Sequence, residues 1–167
     1  RESGHRVNGD CGLHIHVGLK SIVGDADCDE VVAFLTQLNK LAYNYQDAFY
    51  AQTGTRRDRR SYCQRMNSDN SEGLLRASKE VSEKPKGEKT SDDYRRVARR
   101  SDKYRFLNLT NLTNGMNSPT ATVEFRCFAG TLNFDKVLMH IRSVLFLCRL
   151  AWKTRHNGHG DGGFGWE

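Results

Sequence analysis

Residues 11–19 alternate between apolar and small or polar side chains, which is the pattern of a half-buried strand. Successive side chains of a strand point to opposite faces, so one face of this strand is apolar and the other carries glycines and histidines. The apolar positions are Leu13, Ile15, Val17 and Leu19, and the opposite positions are Gly12, His14, His16 and Gly18. A strand face of glycine and histidine indicates a functional role, because glycines let a ligand approach the backbone.

Apolar residues that repeat every three to four positions predict two amphipathic helices. The first begins at a capping box formed by Asp27 and Glu30 and ends near Gly54, after about 20 residues. The second covers residues 134–152. Each helix is expected to pack its apolar stripe against a sheet.

The segments between these helices are less regular. Residues 79–93 are nearly all charged or polar, which predicts a mobile charged surface loop. Residues 104–112 and 121–128 are predicted strands. In the second of them, the side chains of Val123, Phe125 and Cys127 are expected on one face, and those of Thr122, Glu124, Arg126 and Phe128 on the other.

Strands and helices in this order predict an α+β domain, with an antiparallel sheet and helices packed on one face. The functional side chains of the strands are expected on the other, open face. The domain is expected to span residues 8–153, and residues 154–167 are predicted to form a glycine-rich flexible tail.

Composition excludes a membrane-embedded protein, since the mean hydropathy is −0.70 and no stretch approaches the roughly 18 apolar residues of a spanning helix. The net charge of the 167 residues is +6, and residues 51–105 alone carry +7. Arginines cluster there at residues 56–60 and 95–100. Such guanidinium clusters suit phosphate, carboxylate or nucleic-acid ligands, and they equally suit a solvated basic face.

The five cysteines are odd in number and contain no Cys-x-x-Cys pair. We therefore expect free thiols and a reducing, intracellular location, namely the cytoplasm. The chain opens with Arg1 rather than Met and shows no signal peptide, so we expect it to be a portion of a longer protein.

His14 with His16, and Glu124 with Arg126, are side chains two residues apart that share a strand face. If both strands belong to one sheet, imidazoles, a carboxylate and a guanidinium converge on one site. Such a site suits a hard cation that bridges phosphate oxygens. A zinc-dependent hydrolase built on the two histidines and the glutamate is an alternative, although no general base is evident.

Two of these segments resemble motifs of the glutamine synthetase-like carboxylate–amine ligases. Residues 8–18, Asn-Gly-Asp-Cys-Gly-Leu-His-Ile-His-Val-Gly, resemble their Gly-x-His-x-His strand. Residues 122–126, Thr-Val-Glu-Phe-Arg, followed by Gly-Thr-Leu at 130–132, resemble their Glu-x-Arg strand. With Tyr-Arg-Phe-Leu-Asn-Leu at 104–109, the set resembles the amidoligase branch of that superfamily from residue 8 to residue 153.

The resemblance implies a glutamine synthetase-like catalytic half and a ligase that depends on ATP and Mg²⁺, or Mn²⁺. Its substrates would be a small-molecule or peptide carboxylate and an amine, joined through an acyl phosphate. His14 and Glu124 match the metal ligands of the family, and His16 matches a histidine near the phosphates. Arg126 matches an arginine that holds the substrate carboxylate or the transferred phosphate.

Two further arginines are candidates for substrate or phosphate binding. Arg65 follows a Ser-Tyr segment at residues 61–62 that resembles the segment before a substrate-binding arginine of the family, with a spacing that differs by one residue. Arg105 is a candidate on its chemistry alone.

The chain departs from the family in one respect: no Glu-x-Glu strand precedes residue 8. We expect an N-terminal segment or another chain to complete the site. The alternative is a non-catalytic interaction or structural module of a larger assembly, with a basic surface for an acidic partner. Nucleic acid is the less favoured partner, because the arginine clusters lack interleaved aromatic residues.

Overall fold

The computed structural model describes residues 6–8 and 10–157, except for the side chain of residue 86. Its α-helices are α1 Leu19–Val23, α2 Cys28–Thr53, α3 Ser68–Ser82, α4 Ser91–Ala98 and α5 Phe134–Lys153. Its strands are β1 Gly12–Gly18, β2 Leu107–Asn108 and β3 Thr122–Ala129. Short 3₁₀ helices lie at Arg57–Arg59, Lys86–Glu88 and Thr110–Asn114.

The central strand of the antiparallel sheet is β3, which pairs with β1 on one side and β2 on the other. His16 and Asn108 both pair with Glu124, so three polar side chains form one row across the sheet. The register shifts between Leu13 and Ile15, where β3 has one residue more than β1. Such a bulge interrupts the alternation of side chains along β3.

The long helix α2 has the ends that the sequence predicts. The Asp27 side chain accepts a hydrogen bond from the Glu30 amide, which satisfies one of the free donors of the first turn. Gly54 closes the helix in a left-handed conformation with φ of 63°, which favours glycine. The helix has 26 residues, compared with the predicted length of about 20.

The core lies between the sheet and the helices α2 and α5. Phe49 of α2 packs against three phenylalanines of the sheet side, with ring centroids 5.2 to 6.4 Å apart. These are Phe106, Phe125 and Phe128. The antiparallel sheet with helices on one face confirms the predicted α+β class.

The predicted loop at residues 79–93 is largely helical in the structure. Helix α3 continues to Ser82 because Leu74, Ala77 and Val81 give it a buried stripe. Helix α4 starts at Ser91, where Thr90 and Asp93 form a capping box. The charged composition reflects the wide polar faces of these two helices, so the prediction of one continuous mobile loop was wrong.

The predicted strand at residues 104–112 shortens to the two residues of β2. Asn108 ends it, because its side-chain oxygen accepts hydrogen bonds from both the amide and the hydroxyl of Thr110. Phe128 also departs from its expected place on the polar face. The bulge in β3 turns this ring into the core, where it stacks on His140 at 4.3 Å.

All five cysteines are free thiols, as expected. Within residues 6–8 and 10–157, the structure has no helix of sufficient length and apolar character to cross a membrane. Residues 154–157 of the predicted tail form a turn, and the remainder of that tail lies outside the described residues.

Candidate active site

Glu124 lies at the centre of the polar face of the sheet. Its position on β3 places His16 of β1 on one side and Asn108 of β2 on the other. The side chain points away from the helical layer. It is nevertheless buried, and the residue is only 4% exposed. A buried carboxylate needs partners for its charge and its lone pairs, and here the partners come from all three strands.

Both oxygens of the Glu124 carboxylate are hydrogen-bonded. Oε1 lies 3.0 Å from His14 Nδ1 and accepts a hydrogen bond of 2.8 Å from Arg126 Nη1. His16 Nε2 lies 3.5 Å from the same oxygen. Oε2 accepts a hydrogen bond of 2.6 Å from Asn108 Nδ2. The sheet therefore brings together the four residues that its two strand motifs predict.

The electrostatics keep Glu124 ionised. Burial alone would raise the pKa of this carboxyl, but hydrogen bonds from His14 and Asn108 and the charges of Arg126 and His16 outweigh burial. Together they lower the pKa to about 2. The site thus has a fixed negative charge at its base at neutral pH.

Arg126 is held in one orientation. Its Nη1 donates to Glu124, and its Nε donates to the carbonyl oxygen of Tyr62 at 3.3 Å. The segment that includes Tyr62 therefore covers part of the face that the sequence predicts to be open. A guanidinium fixed at two points can stabilise a negative charge without first reorganising.

The two histidines are the accessible part of the cluster. The side chain of His14 is 32% exposed and that of His16 is 45% exposed, whereas Glu124 beneath them is buried. His16 Nδ1 lies 3.1 Å from Thr122 Oγ1, which orients the imidazole. The imidazole edges are therefore the groups that a bound substrate would meet first.

The structure does not join Arg65 and Arg105 to this cluster. Arg65 pairs with Asp47 and Asp58, and its guanidinium carbon lies 5.2 Å from the centre of the Tyr50 ring. Arg105 donates to Asp102 at 3.2 Å and to the carbonyl oxygen of Arg65 at 2.9 Å. Both guanidinium groups are thus engaged elsewhere, and their proposed substrate contacts stay predictions.

Several arginines of the basic middle region form ion pairs. Ion pairs join Arg60 to Asp10, Arg95 to Asp92 and Arg96 to Glu80. Paired guanidinium groups are less available to a polyanion than a free basic stripe would be. Whether this region contacts nucleic acid stays a prediction.

The residues on this face offer few ligands for a Mg²⁺ ion. Magnesium prefers carboxylate and water oxygens, and Glu124 is the one carboxylate that contacts the two histidines. Its Oε1 is already shared by His14 and Arg126. Among residues 6–8 and 10–157, no group of three or more His, Cys, Asp or Glu side chains is arranged to hold a metal ion. The described residues alone do not fit the ion.

Two buried polar residues at or near the site were not singled out from the sequence. Asn108 is a buried amide between two leucines in a predicted strand, and that placement could have indicated a polar partner inside the sheet. Arg57 lies in the arginine cluster at residues 56–60, in which the sequence does not single out any one residue. Nothing in the pattern of that cluster distinguishes the one buried arginine from its exposed neighbours.

Comparisons with known proteins give one match. A family model described as "putative amidoligase enzyme" matches residues 1–147. No curated protein and no solved structure matches the chain. The matched range contains the whole sheet and all four residues that converge on the polar face.

Proposed function

The chain belongs to this putative amidoligase family, and on that premise we propose that it is an ATP-dependent ligase that joins a carboxylate to an amine through an acyl phosphate. The observation that carries the proposal is the Glu124 cluster, in which a buried carboxylate fixes a guanidinium and two accessible imidazoles on one face. The substrates are proposed to be small-molecule or peptide carboxylates and amines.

The proposed reaction has two steps. A substrate carboxylate oxygen attacks the γ-phosphorus of ATP, the bond to ADP breaks, and ADP leaves. The amine nitrogen then attacks the acyl carbon, loses a proton, and displaces phosphate, which keeps the former carboxylate oxygen. Both steps spread negative charge over phosphoryl oxygens, so positioned cations are the main catalytic requirement.

The proposed roles of the residues are those that the resemblance implies, and the geometry supports them as follows. Arg126 is proposed to hold the substrate carboxylate or the transferred phosphoryl group, because its guanidinium is fixed at both ends. His16, the more exposed imidazole, is proposed to lie near the phosphates. Glu124 and His14 form the base of the site and hold these groups in place.

ATP and a divalent cation, Mg²⁺ or Mn²⁺, remain proposed cofactors because the resemblance of the two strand motifs implies them. His14 and Glu124 are the protein ligands that the resemblance assigns. The described residues do not complete a metal site, so a further segment or another chain is proposed to supply carboxylates. No step above is assigned to the metal.

The experiment is an assay of ATP-dependent phosphate release with a panel of carboxylates and with hydroxylamine as the amine. The full-length wild-type protein, with Mg²⁺ in the buffer, is expected to release phosphate only when ATP, a carboxylate and the amine are all present. Glu124→Ala and His14→Ala are expected to lose this activity, while Glu72→Ala, at an exposed glutamate of α3, keeps it. An active Glu124→Ala or His14→Ala variant would contradict the assignment.

A further inference from the structure

Arg57 is a buried arginine whose guanidinium is only partly hydrogen-bonded. The residue is 2% exposed and begins the 3₁₀ helix Arg57–Arg59, beside the polar face of the sheet. Nη1 donates to the carbonyl oxygen of Cys11 at 2.9 Å. Nε and Nη2 are buried and have no hydrogen-bond partner in the described part of the chain.

The charge of Arg57 has no counter-ion among the described residues. Its neighbour Asp58 pairs with Arg65 instead. The Tyr62 ring lies 5.7 Å from the guanidinium carbon and offers only its aromatic face. Burial raises the pKa of the nearby Cys63 thiol, although the charge of Arg57 and a side-chain hydrogen bond with it oppose this, so the thiol is a neutral neighbour and not a counter-ion. A buried cation without an anion is costly, which indicates that an anion completes the site.

The free edge of this guanidinium faces the active-site strand. A Cβ atom added to Gly12 would lie 2.6 Å from Arg57 Nη2 and 3.4 Å from His14 Nε2. Glycine at position 12 therefore leaves the space that the guanidinium needs to reach β1. The unpartnered Nη2 and the imidazole edge of His14 flank the same point on the polar face.

We propose that Arg57 forms an oxyanion-binding subsite beside His14, which takes a carboxylate or phosphoryl oxygen of a substrate. Guanidinium N–H groups match the oxygens of both classes of anion, and such hydrogen bonds are stronger when both partners are charged. In this proposal, Arg57 has the substrate- or phosphate-binding role that the sequence predicts for Arg65 and Arg105. The inference rests on the proposed function for the identity of the anion, but the binding itself needs no turnover.

The test is thermal unfolding of the full chain in potassium phosphate, potassium acetate or potassium chloride at one constant ionic strength. The wild-type midpoint is expected to rise with phosphate or acetate above the chloride value, because an anion that binds only the folded state stabilises it. A response to phosphate alone identifies phosphoryl oxygens as the ligand, and a response to acetate alone identifies carboxylates.

Arg57→Gln keeps a donor for Cys11 and removes the charge. Its apparent affinity for the anion is expected to fall by about tenfold or more, while its midpoint in chloride does not fall, since a buried unpaired charge is gone. Arg59→Gln, an exposed neighbour in the same 3₁₀ helix, is the matched control and is expected to respond like the wild type. Gly12→Ala is a second variant, whose methyl group would displace Nη2 from its position.

The inference is overturned if the wild type shows no response specific to phosphate or acetate, or if Arg57→Gln and Gly12→Ala respond like the wild type. Anion stabilisation that depends on Arg57, in a protein that forms no amide from ATP, would refute the proposed function and leave the subsite standing. Amide formation that persists in Arg57→Gln at wild-type substrate affinity would refute the subsite alone.

Discussion

Two buried carboxylates of this protein look alike in isolation and differ in their surroundings. Glu124 is 4% exposed and Asp93 is 3% exposed, and the pKa of each lies below its ordinary value. Asp93 is bound by Lys84 and by the backbone amide of Thr90, both within ten positions along the chain. Glu124 is bound by its near neighbour Arg126 and by residues 14, 16 and 108, which only the folded sheet brings to it.

The contrast separates a structural carboxylate from a candidate catalytic one. Asp93 completes the capping box of α4, where a side chain satisfies amides that the helix leaves free. Glu124 organises two imidazoles that keep exposed edges and a guanidinium fixed at two points. Burial and a lowered pKa are therefore shared features. Partners that remain accessible to a ligand are what distinguish Glu124.

Enzymatic activity should distinguish Glu124 from Asp93 by the largest margin. Glu124→Gln removes the charge that fixes Arg126 and orients the imidazoles, so the rate of ATP-dependent amide formation should fall by about 100-fold or more. Asp93→Asn should leave the activity of the folded protein unchanged. The measurement is the initial rate per folded molecule, with folding verified by circular dichroism. Equal losses in the two variants would break the contrast.

The next effect is on stability. Asn108→Ala leaves Glu124 Oε2 without its hydrogen-bond donor in a buried site, and should reduce the free energy of unfolding by about 1–3 kcal/mol. Chemical denaturation measures this change. Asn114→Ala, in the nearby 3₁₀ helix and without a side-chain hydrogen bond in the structure, serves as the control. An Asn108→Ala variant as stable as wild type would show that water can replace this bond.

The pH dependence of stability should also distinguish Glu124 from an ordinary surface carboxylate. Because folding lowers its pKa from 4.5 to about 2, its contribution is complete above pH 4.5 and is lost as the pH falls through 2. The difference in free energy of unfolding between wild type and Glu124→Gln should therefore shrink across this window. Asp93→Asn should behave in the same direction below pH 3.8. A difference that stays constant with pH would contradict the role of the ionised carboxylate.

The smallest effect concerns exposed ion pairs. Lys79 Nζ in the last turn of α3 lies 4.0 Å from Oε1 of Glu83, the residue that follows the helix, and both side chains are largely exposed. Glu83→Ala should change the free energy of unfolding by only about 0.3–0.5 kcal/mol. Denaturation in low and high salt would show whether even this small contribution is screened. A loss comparable to that of Asn108→Ala would mean that the hydrogen bond between Asn108 and Glu124 stabilises the fold no more than an exposed ion pair does.

The sequence predicted what depends on local pattern. Alternation along residues 12–18 placed the two histidines on one face, and Asp27 and Gly54 marked the ends of α2. It could not predict the bulge in β3, because a bulge depends on the pairing of two distant strands. For the same reason the core position of Phe128 was missed.

Local pattern also failed for the arginines. Arg57, Arg65 and Arg105 carry the same side chain. Only the folded arrangement shows that Arg65 and Arg105 have aspartate partners, while Arg57 has none among residues 6–8 and 10–157. The burial of Arg57 depends on the close approach to Gly12, a residue 45 positions away in the chain. A charge cluster in a sequence therefore does not indicate which of its arginines is buried and which is paired.

The central claim is that the Glu124 cluster catalyses amide formation through an acyl phosphate. The most direct measurement uses a panel of carboxylates labelled with ¹⁸O, with ATP, Mg²⁺ and hydroxylamine, and mass spectrometry of the phosphate released. With the wild-type protein, one labelled oxygen should pass from a carboxylate to phosphate, and Glu124→Gln should transfer label about 100-fold more slowly or not at all. Phosphate released without label, or label transferred by Glu124→Gln at the wild-type rate, would contradict this claim.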